Sequence, residues 1–255
     1  MTRRSDQKPG VLYGLGVGPG DPDLLTLKAH RILTASPVVA YPKPEQGESF
    51  ARAIVAQFLA PGQVEIAIAV PMRVERFPAA GIYDRAARDI AARLDGGEDV
   101  AVLCEGDPFF YGSFMYLFER LAGRFETVIV PGVSSVMAAS AASLRPLAAR
   151  NDVLTIIPGP LPDQELKTRI EGAQAFAIMK LGRHFARIKT LLETMGLSGS
   201  CRYCERVTLA NQTIAPLAET GDVAPYFSMI LGYRGDEPAI LNAPLPGAGR
   251  RMEDR

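Results

Sequence analysis

Short β-branched runs alternate with stretches of helical period through the first half of the chain, and that alternation admits few architectures. Val11 to Gly16, Val38 to Tyr41, Val64 to Ala69, Val100 to Cys104 and Thr127 to Val130 read as strands, the second stopped by Pro42 and Pro44. Between them Leu24 to Thr34, capped by Asp21 or Asp23, Ser49 to Phe58 and Tyr83 to Leu94 read as helices. In the last of these Ala87, Ile90, Ala91 and Leu94 repeat at i, i+3, i+4 and i+7, so one stripe packs on a sheet. Strands separated by helices of this length form a parallel, doubly wound α/β sheet.

After Pro131-Gly132 the pattern restarts. Ser134 to Ser143 reads as a small-residue helix, Val153 to Ile157 and Ala175 to Met179 as strands, and Ile188, Leu191, Leu192 and Met195 mark a further helix. Arg202 to Thr208, Thr213 to Leu217 and Phe227 to Gly232 then follow without long helices between them. That favours antiparallel pairing and a second, mixed sheet. The expected organisation is an N-terminal α/β domain over 1–132 and a C-terminal α/β domain over 133–255, with a loose tail from Pro244.

Charge and patterning exclude several classes of partner. Lys plus Arg and Asp plus Glu both total 28, so no bulk field draws nucleic acid or an anionic membrane. The charge-free stretch Thr127 to Leu144 falls short of a membrane span and is broken by Pro131-Gly132. Arg3 and Arg4 precede an apolar run, but Gly14, Gly16, Gly18 and Gly20 interrupt it and no cleavage pattern follows. Three cysteines form no disulfide framework. The expectation is a cytoplasmic protein that contacts neither nucleic acid nor membrane.

Three loops stand out at strand ends. Gly14-Leu15-Gly16-Val17-Gly18-Pro19-Gly20-Asp21 has the look of a dinucleotide loop, yet Asp21 brings negative charge to the pyrophosphate position and Pro19 has no N–H to donate. The second strand ends in Tyr41-Pro42-Lys43, without the acid that would hold ribose hydroxyls. Such a loop suits a ligand lacking phosphate; a plain strand-to-helix turn capped by Asp21 is the alternative. Glu105-Gly106-Asp107-Pro108-Phe109-Phe110-Tyr111-Gly112-Ser113 leaves the C-terminal end of a strand, where open parallel sheets gather ligands, and Pro131-Gly132-Val133-Ser134-Ser135 begins the next helix. Cys201 and Cys204, three apart on a strand, face opposite sides, and neither His30 nor His184 has a nucleophile beside it, so no metal site is expected.

Read in order, Val17-Gly18-Pro19-Gly20-Asp21-Pro22, the Glu105 to Ser113 loop, Pro131 to Ser135, Ile178-Met179-Lys180 and Glu205-Arg206-Val207-Thr208 resemble the motifs of the tetrapyrrole methylases, enzymes that use S-adenosyl-L-methionine (SAM). The resemblance implies SAM folded up between the two domains, with contacts at Pro19, Gly106, Asp107, Phe110, Ser134, Ser135, Met179, Val207, Met229 and Ile230. Val207 stands where many members carry a smaller residue, and Ser135 where some carry alanine. Stretches such as Val39 to Lys43 and Met179 to His184 resemble the members that methylate carbon 20 of precorrin-2, giving precorrin-3A in cobalamin biosynthesis. The cobalt-bearing counterpart of that substrate, an NAD(P)-dependent oxidoreductase and a non-catalytic tetrapyrrole binder are the competing readings. Asp107, Glu105 or Tyr111 would accept or relay the proton lost after transfer. Lys43, Arg73, Arg76, Arg150 and Arg183 are candidates for the substrate carboxylates, and the family pattern implies a homodimer.

Overall fold

The structure is a computed structural model and describes residues 8–70 and 80–246. The chain forms two compact units, Met1–Ser134 and Ser135–Arg255. Arg3, Arg4, Arg73 and Arg76 lie outside the described residues. Among the described residues no helix is long and apolar enough to cross a membrane.

In the first unit β1 (Leu12–Gly16), β2 (Val38–Pro44), β3 (Val64–Val70), β4 (Val100–Cys104) and β5 (Thr127–Val130) make a sheet of order β3-β2-β4-β1-β5, every pairing parallel. Two helices, α1 (Leu27–Ala35) and α2 (Phe50–Val55), cover one face, where Leu33, Ala51 and Ile54 join Leu15, Val39, Ala101 and Leu103. The other face carries α3 (Ala80–Asp95) and α4 (Phe114–Leu121), whose Ile90, Leu94, Phe114 and Leu117 join Leu12, Val38, Val100 and Val102. Residues of β4 alternate between the two cores, as the pleat requires of a strand buried on both sides.

Local differences from the sequence reading have physical causes. The second strand does not stop at Pro42: β2 runs on to Pro44 because its pairing with β4 ends at Ala40, and from there only β3 flanks it. An edge strand tolerates the N–H that proline lacks. Helix α1 starts at Leu27 with Thr26 as its cap, since Asp21 instead accepts the Asp23 N–H and caps the 3-10 turn Pro22–Leu24. Helix α4 is missed because the exposed apolar and aromatic residues Met115, Tyr116 and Phe118 flank the short buried stripe of Phe114, Leu117 and Leu121 and mask it.

One polar cluster ties β2, β3 and α2 together. Glu65 accepts two bonds from the Arg52 guanidinium, at 2.5 and 2.8 Å, and one from the Tyr41 hydroxyl at 2.6 Å. The Arg52 bonds, helped by Tyr41, hold its carboxyl down to about 2. A depressed carboxyl stabilises the fold above the ordinary carboxylate range and loses that contribution as pH falls from about 5 to about 2. Both partners are roughly a third exposed, so the contribution is about 1 kcal/mol. Melting Glu65→Gln beside the wild type should therefore show a gap at pH 7 that closes toward pH 2.5; a gap independent of pH would disprove the assignment.

In the second unit α5 (Ser135–Ala142) precedes β6 (Leu154–Pro158), α6 (Asp163–Glu171), β7 (Ala175–Met179), α7 (Phe185–Thr194), β8 (Cys201–Glu205), β9 (Thr213–Pro216), β10 (Ser228–Tyr233) and α8 (Pro238–Leu241). The sheet order is β6-β7-β10-β8-β9; β6 and β7 are parallel and the remaining pairs antiparallel, a mixed sheet. Leu166, Ile170, Phe185, Ile188 and Leu192 of α6 and α7 pack on Ile157, Phe176, Ile178, Tyr203 and Ile230. The sequence reading misses α6, which presents only Leu166 and Ile170 to the core amid polar residues. Strand β8 ends at Glu205, earlier than Thr208, because Arg206 and Thr208 adopt φ of +46° and +70° and turn the chain out of the sheet.

Candidate active site

The first unit gathers its motif loops at one edge. In register, Gly16 at the end of β1 lies beside Cys104 at the end of β4, and Leu15 beside Val130 at the end of β5. From β1 the chain leaves toward the face covered by α1, while from the adjacent β4 it leaves toward the face covered by α4. Neighbouring strands whose connections part to opposite faces leave a crevice outside their carboxyl ends.

Backbone contacts zip these loops together. Gly18 and Gly106 form an antiparallel bridge, with Gly106 N–H donating to Gly18 O at 2.8 Å and Gly18 N–H to Gly106 O at 3.3 Å. Gly106 takes φ +63°. A Cβ added to Gly132 would sit 2.0 Å from Gly106 O and 2.8 Å from Gly16 Cα. The glycines of this edge thus serve close approach of backbone to backbone, which is a different use from cradling a pyrophosphate.

Asp107 is the knot of the arrangement. Its Oδ1 accepts the N–H of Phe109 at 2.9 Å and of Phe110 at 3.1 Å, and its Oδ2 accepts the Gly132 N–H at 3.0 Å. The loop after β4 is closed on itself and tied to the loop after β5. Glu105, one residue past β4, is exposed and has no hydrogen bond or ion pair among the described residues; desolvation raises its carboxyl. Tyr111 adopts φ +57° and is exposed, its ring edge-on to Phe110 at 5.1 Å between centroids. Pro19 is buried beside the Gly18–Gly106 bridge, and Ser134 is half-buried at the end of the unit.

The second unit brings its own motif residues to one strand end. Met229 of β10 pairs with Met179 of β7 on one side and with Cys204 of β8 on the other, so the three share a sheet face. Ile230 points to the opposite face, fully buried in the core of α6 and α7, and only its backbone is available to a ligand. Val207 is buried in the turn between the positive-φ residues Arg206 and Thr208, and Ser135 opens α5.

Sequence reasoning overlooks two supports here. Glu205 accepts the Tyr203 hydroxyl at 2.6 Å and Arg206 Nη1 at 2.5 Å, anchoring the turn that carries Val207. Arg202, buried on the Met179 and Met229 face, donates to the carbonyls of Ser143, Ala243 and Pro244. An arginine inside an otherwise buried strand was the available signal.

The candidate cations each stand on a different element. Lys43 is half-buried on β2, Arg183 lies exposed on the 3-10 turn after β7, and Arg150 is exposed at 3.9 Å from Glu237. Cys104, Cys201 and Cys204 are buried free thiols, and no group of three His, Cys, Asp or Glu that could hold a metal occurs among the described residues.

The donor set of these loops does not suit a diphosphate: Pro19 offers no N–H, and the N–H groups of Phe109, Phe110 and Gly132 are already taken by the Asp107 carboxylate.

Comparison with known proteins accords with this geometry. Residues 11–220 match the family model of the Tetrapyrrole (Corrin/Porphyrin) Methylases. The chain belongs to that family. It is 42% identical over 249 residues to the cobalamin biosynthesis protein CobIJ of Mycobacterium tuberculosis H37Rv, covering 94% of this chain but only 49% of that protein, so it spans about half that relative's length. It is 38% identical over 231 residues to a precorrin-2 C(20)-methyltransferase of a Sinorhizobium species, covering 87% of this chain and 94% of the relative. Among solved structures it resembles the uroporphyrin-III C-methyl transferase of Thermus thermophilus complexed with S-adenyl homocysteine, at TM-score 0.63 and 26% identity over 88% of this chain and 97% of that one.

Proposed function

We propose that the chain is a SAM-dependent methyltransferase of cobalamin biosynthesis that places a methyl group on carbon 20 of precorrin-2, giving precorrin-3A. The observation that carries this reading is the 38% identity to a precorrin-2 C(20)-methyltransferase across nearly the whole of that relative. The phosphate-poor loops after β1, β4 and β5 support it, as does the relative solved with the demethylated form of SAM. The proposed SAM contacts are the backbone around Pro19, Gly106 and Phe110, Ser134 and Ser135, and the Met179, Val207, Met229 and Ile230 strand ends. Lys43, Arg150 and Arg183 are proposed for the substrate carboxylates, and a homodimer is the proposed assembly.

Positioning carries most of the work in this reaction. Carbon 20 belongs to an electron-rich enamine-like system, so the protein has to hold carbon, methyl and sulfur in line. Orientation of this kind lowers a barrier by roughly 7–11 kcal/mol. The mutually bonded loops provide a rigid edge for it.

Titration calorimetry with SAM, S-adenosylhomocysteine and NADH should give binding for the first two only. NADH binding without SAM binding would overturn the reading. Incubation with SAM and either precorrin-2 or its cobalt-bearing form, followed by NMR, should locate the new methyl on carbon 20 of the metal-free ring. A methyl on another carbon, or turnover of the cobalt form alone, would reject the substrate assigned here.

A further inference from the structure

We propose that Glu105 is the base that takes the proton lost from carbon 20 during methylation, and that Asp107 is a positioning residue that holds the loop around it. This rests on the transferase reading above. In the transfer, the enamine electron pair at carbon 20 forms the new C–C bond, while the S–CH3 bond breaks and its pair goes to sulfur. The ring then carries the positive charge that the sulfonium gave up. Loss of the carbon 20 proton to a Glu105 carboxylate oxygen returns the C–H pair to the ring as a double bond, and the proton passes on to water.

Geometry separates the two acids, which stand only two residues apart. Both oxygens of Asp107 are engaged by the N–H groups of Phe109, Phe110 and Gly132. These bonds commit the Asp107 carboxylate to holding the loops after β4 and β5 together. Glu105 accepts no hydrogen bond and meets no cation among the described residues, so its lone pairs are open. It is also the first residue past β4, at the point where the connections from β1 and β4 part to opposite faces. Asp21, the acid of the neighbouring loop, is committed to the Asp23 N–H.

The test is single-turnover methylation at saturating SAM, with precorrin-2 carrying hydrogen or deuterium at carbon 20, in the full chain. Glu105→Gln is expected to slow formation of the final chromophore by about 100-fold or more. Its SAM dissociation constant should stay close to the wild-type value, and a primary isotope effect should appear that the wild type lacks. Asp107→Asn should weaken SAM binding yet show no isotope effect once saturated. Wild-type speed in Glu105→Gln, or a loss that saturating SAM restores, would overturn the proposal. Should that variant fail to fold, Glu105→Asp takes its place: a carboxylate one methylene shorter should slow the chromophore step and reveal the isotope effect, and wild-type behaviour there would equally overturn it. If the wild type itself neither binds SAM nor forms a methylated ring, the transferase reading has failed instead.

Discussion

Gly132→Ala is expected to abolish SAM binding and to destabilise the first unit by about 3 kcal/mol or more. The added methyl would lie 2.0 Å from Gly106 O and 2.8 Å from Gly16 Cα, and all of these are backbone atoms. No rotamer change relieves such a clash, so the loop after β5 has to move away from the loops after β1 and β4. That movement also pulls the Gly132 N–H off Asp107. Gly123→Ala is the matched control, because its added methyl meets nothing within 4 Å. The control should melt within about 0.5 kcal/mol of the wild type and bind SAM normally. If Gly132→Ala did the same, the zipped edge would not be the binding element.

Asp107→Ala is expected to weaken SAM binding by about 100-fold, equivalent to about 2.7 kcal/mol. Three N–H groups lose a charged acceptor at once. Bonds to charged groups are worth about 1.5–3 kcal/mol each, but water replaces part of that at a half-buried loop. Calorimetry reads the affinity, and single turnover at saturating SAM reads the chemistry. The affinity should fall and the saturated rate should stay within about tenfold of wild type, well short of the losses typical of a removed general base. A lost rate with intact affinity would return the proton-transfer role to Asp107.

The zipped loops also recast what the glycine-rich segment means. Read as a string, Gly14 to Asp21 invites comparison with a dinucleotide loop, and Pro19, Asp21 and the missing ribose acid after the second strand argue against it. In three dimensions the reason for the glycines is visible: Gly16 meets Gly132, Gly18 bridges Gly106, and a Cβ on Gly14 would strike the Phe114 ring at 2.7 Å. These partners lie about ninety or more residues away in sequence, beyond any local pattern.

Strand positions were legible because each core strand shows several apolar residues bounded by proline, glycine or polar turns. Val100 to Cys104 is the clearest case, buried throughout. Helices were legible where one stripe is apolar, as in α3, and illegible at both extremes, the aromatic α4 and the polar α6. Among the proposed site residues, the resemblance puts Gly106, Asp107, Met179 and Met229 together. The pleat assigned Ile230 to the core, because its side chain and that of Met229 must point to opposite faces.

By itself the sequence determined two α/β units, one mainly parallel and one mixed, and membership in a family through five short motifs. Hydrophobic periodicity and turn residues are local properties, and they suffice for that. Only the tertiary structure decided which acid is tied up and which is open. Glu105 and Asp107 are equivalent in the string, and the hydrogen bond donated from Gly132, twenty-five residues on, tells them apart.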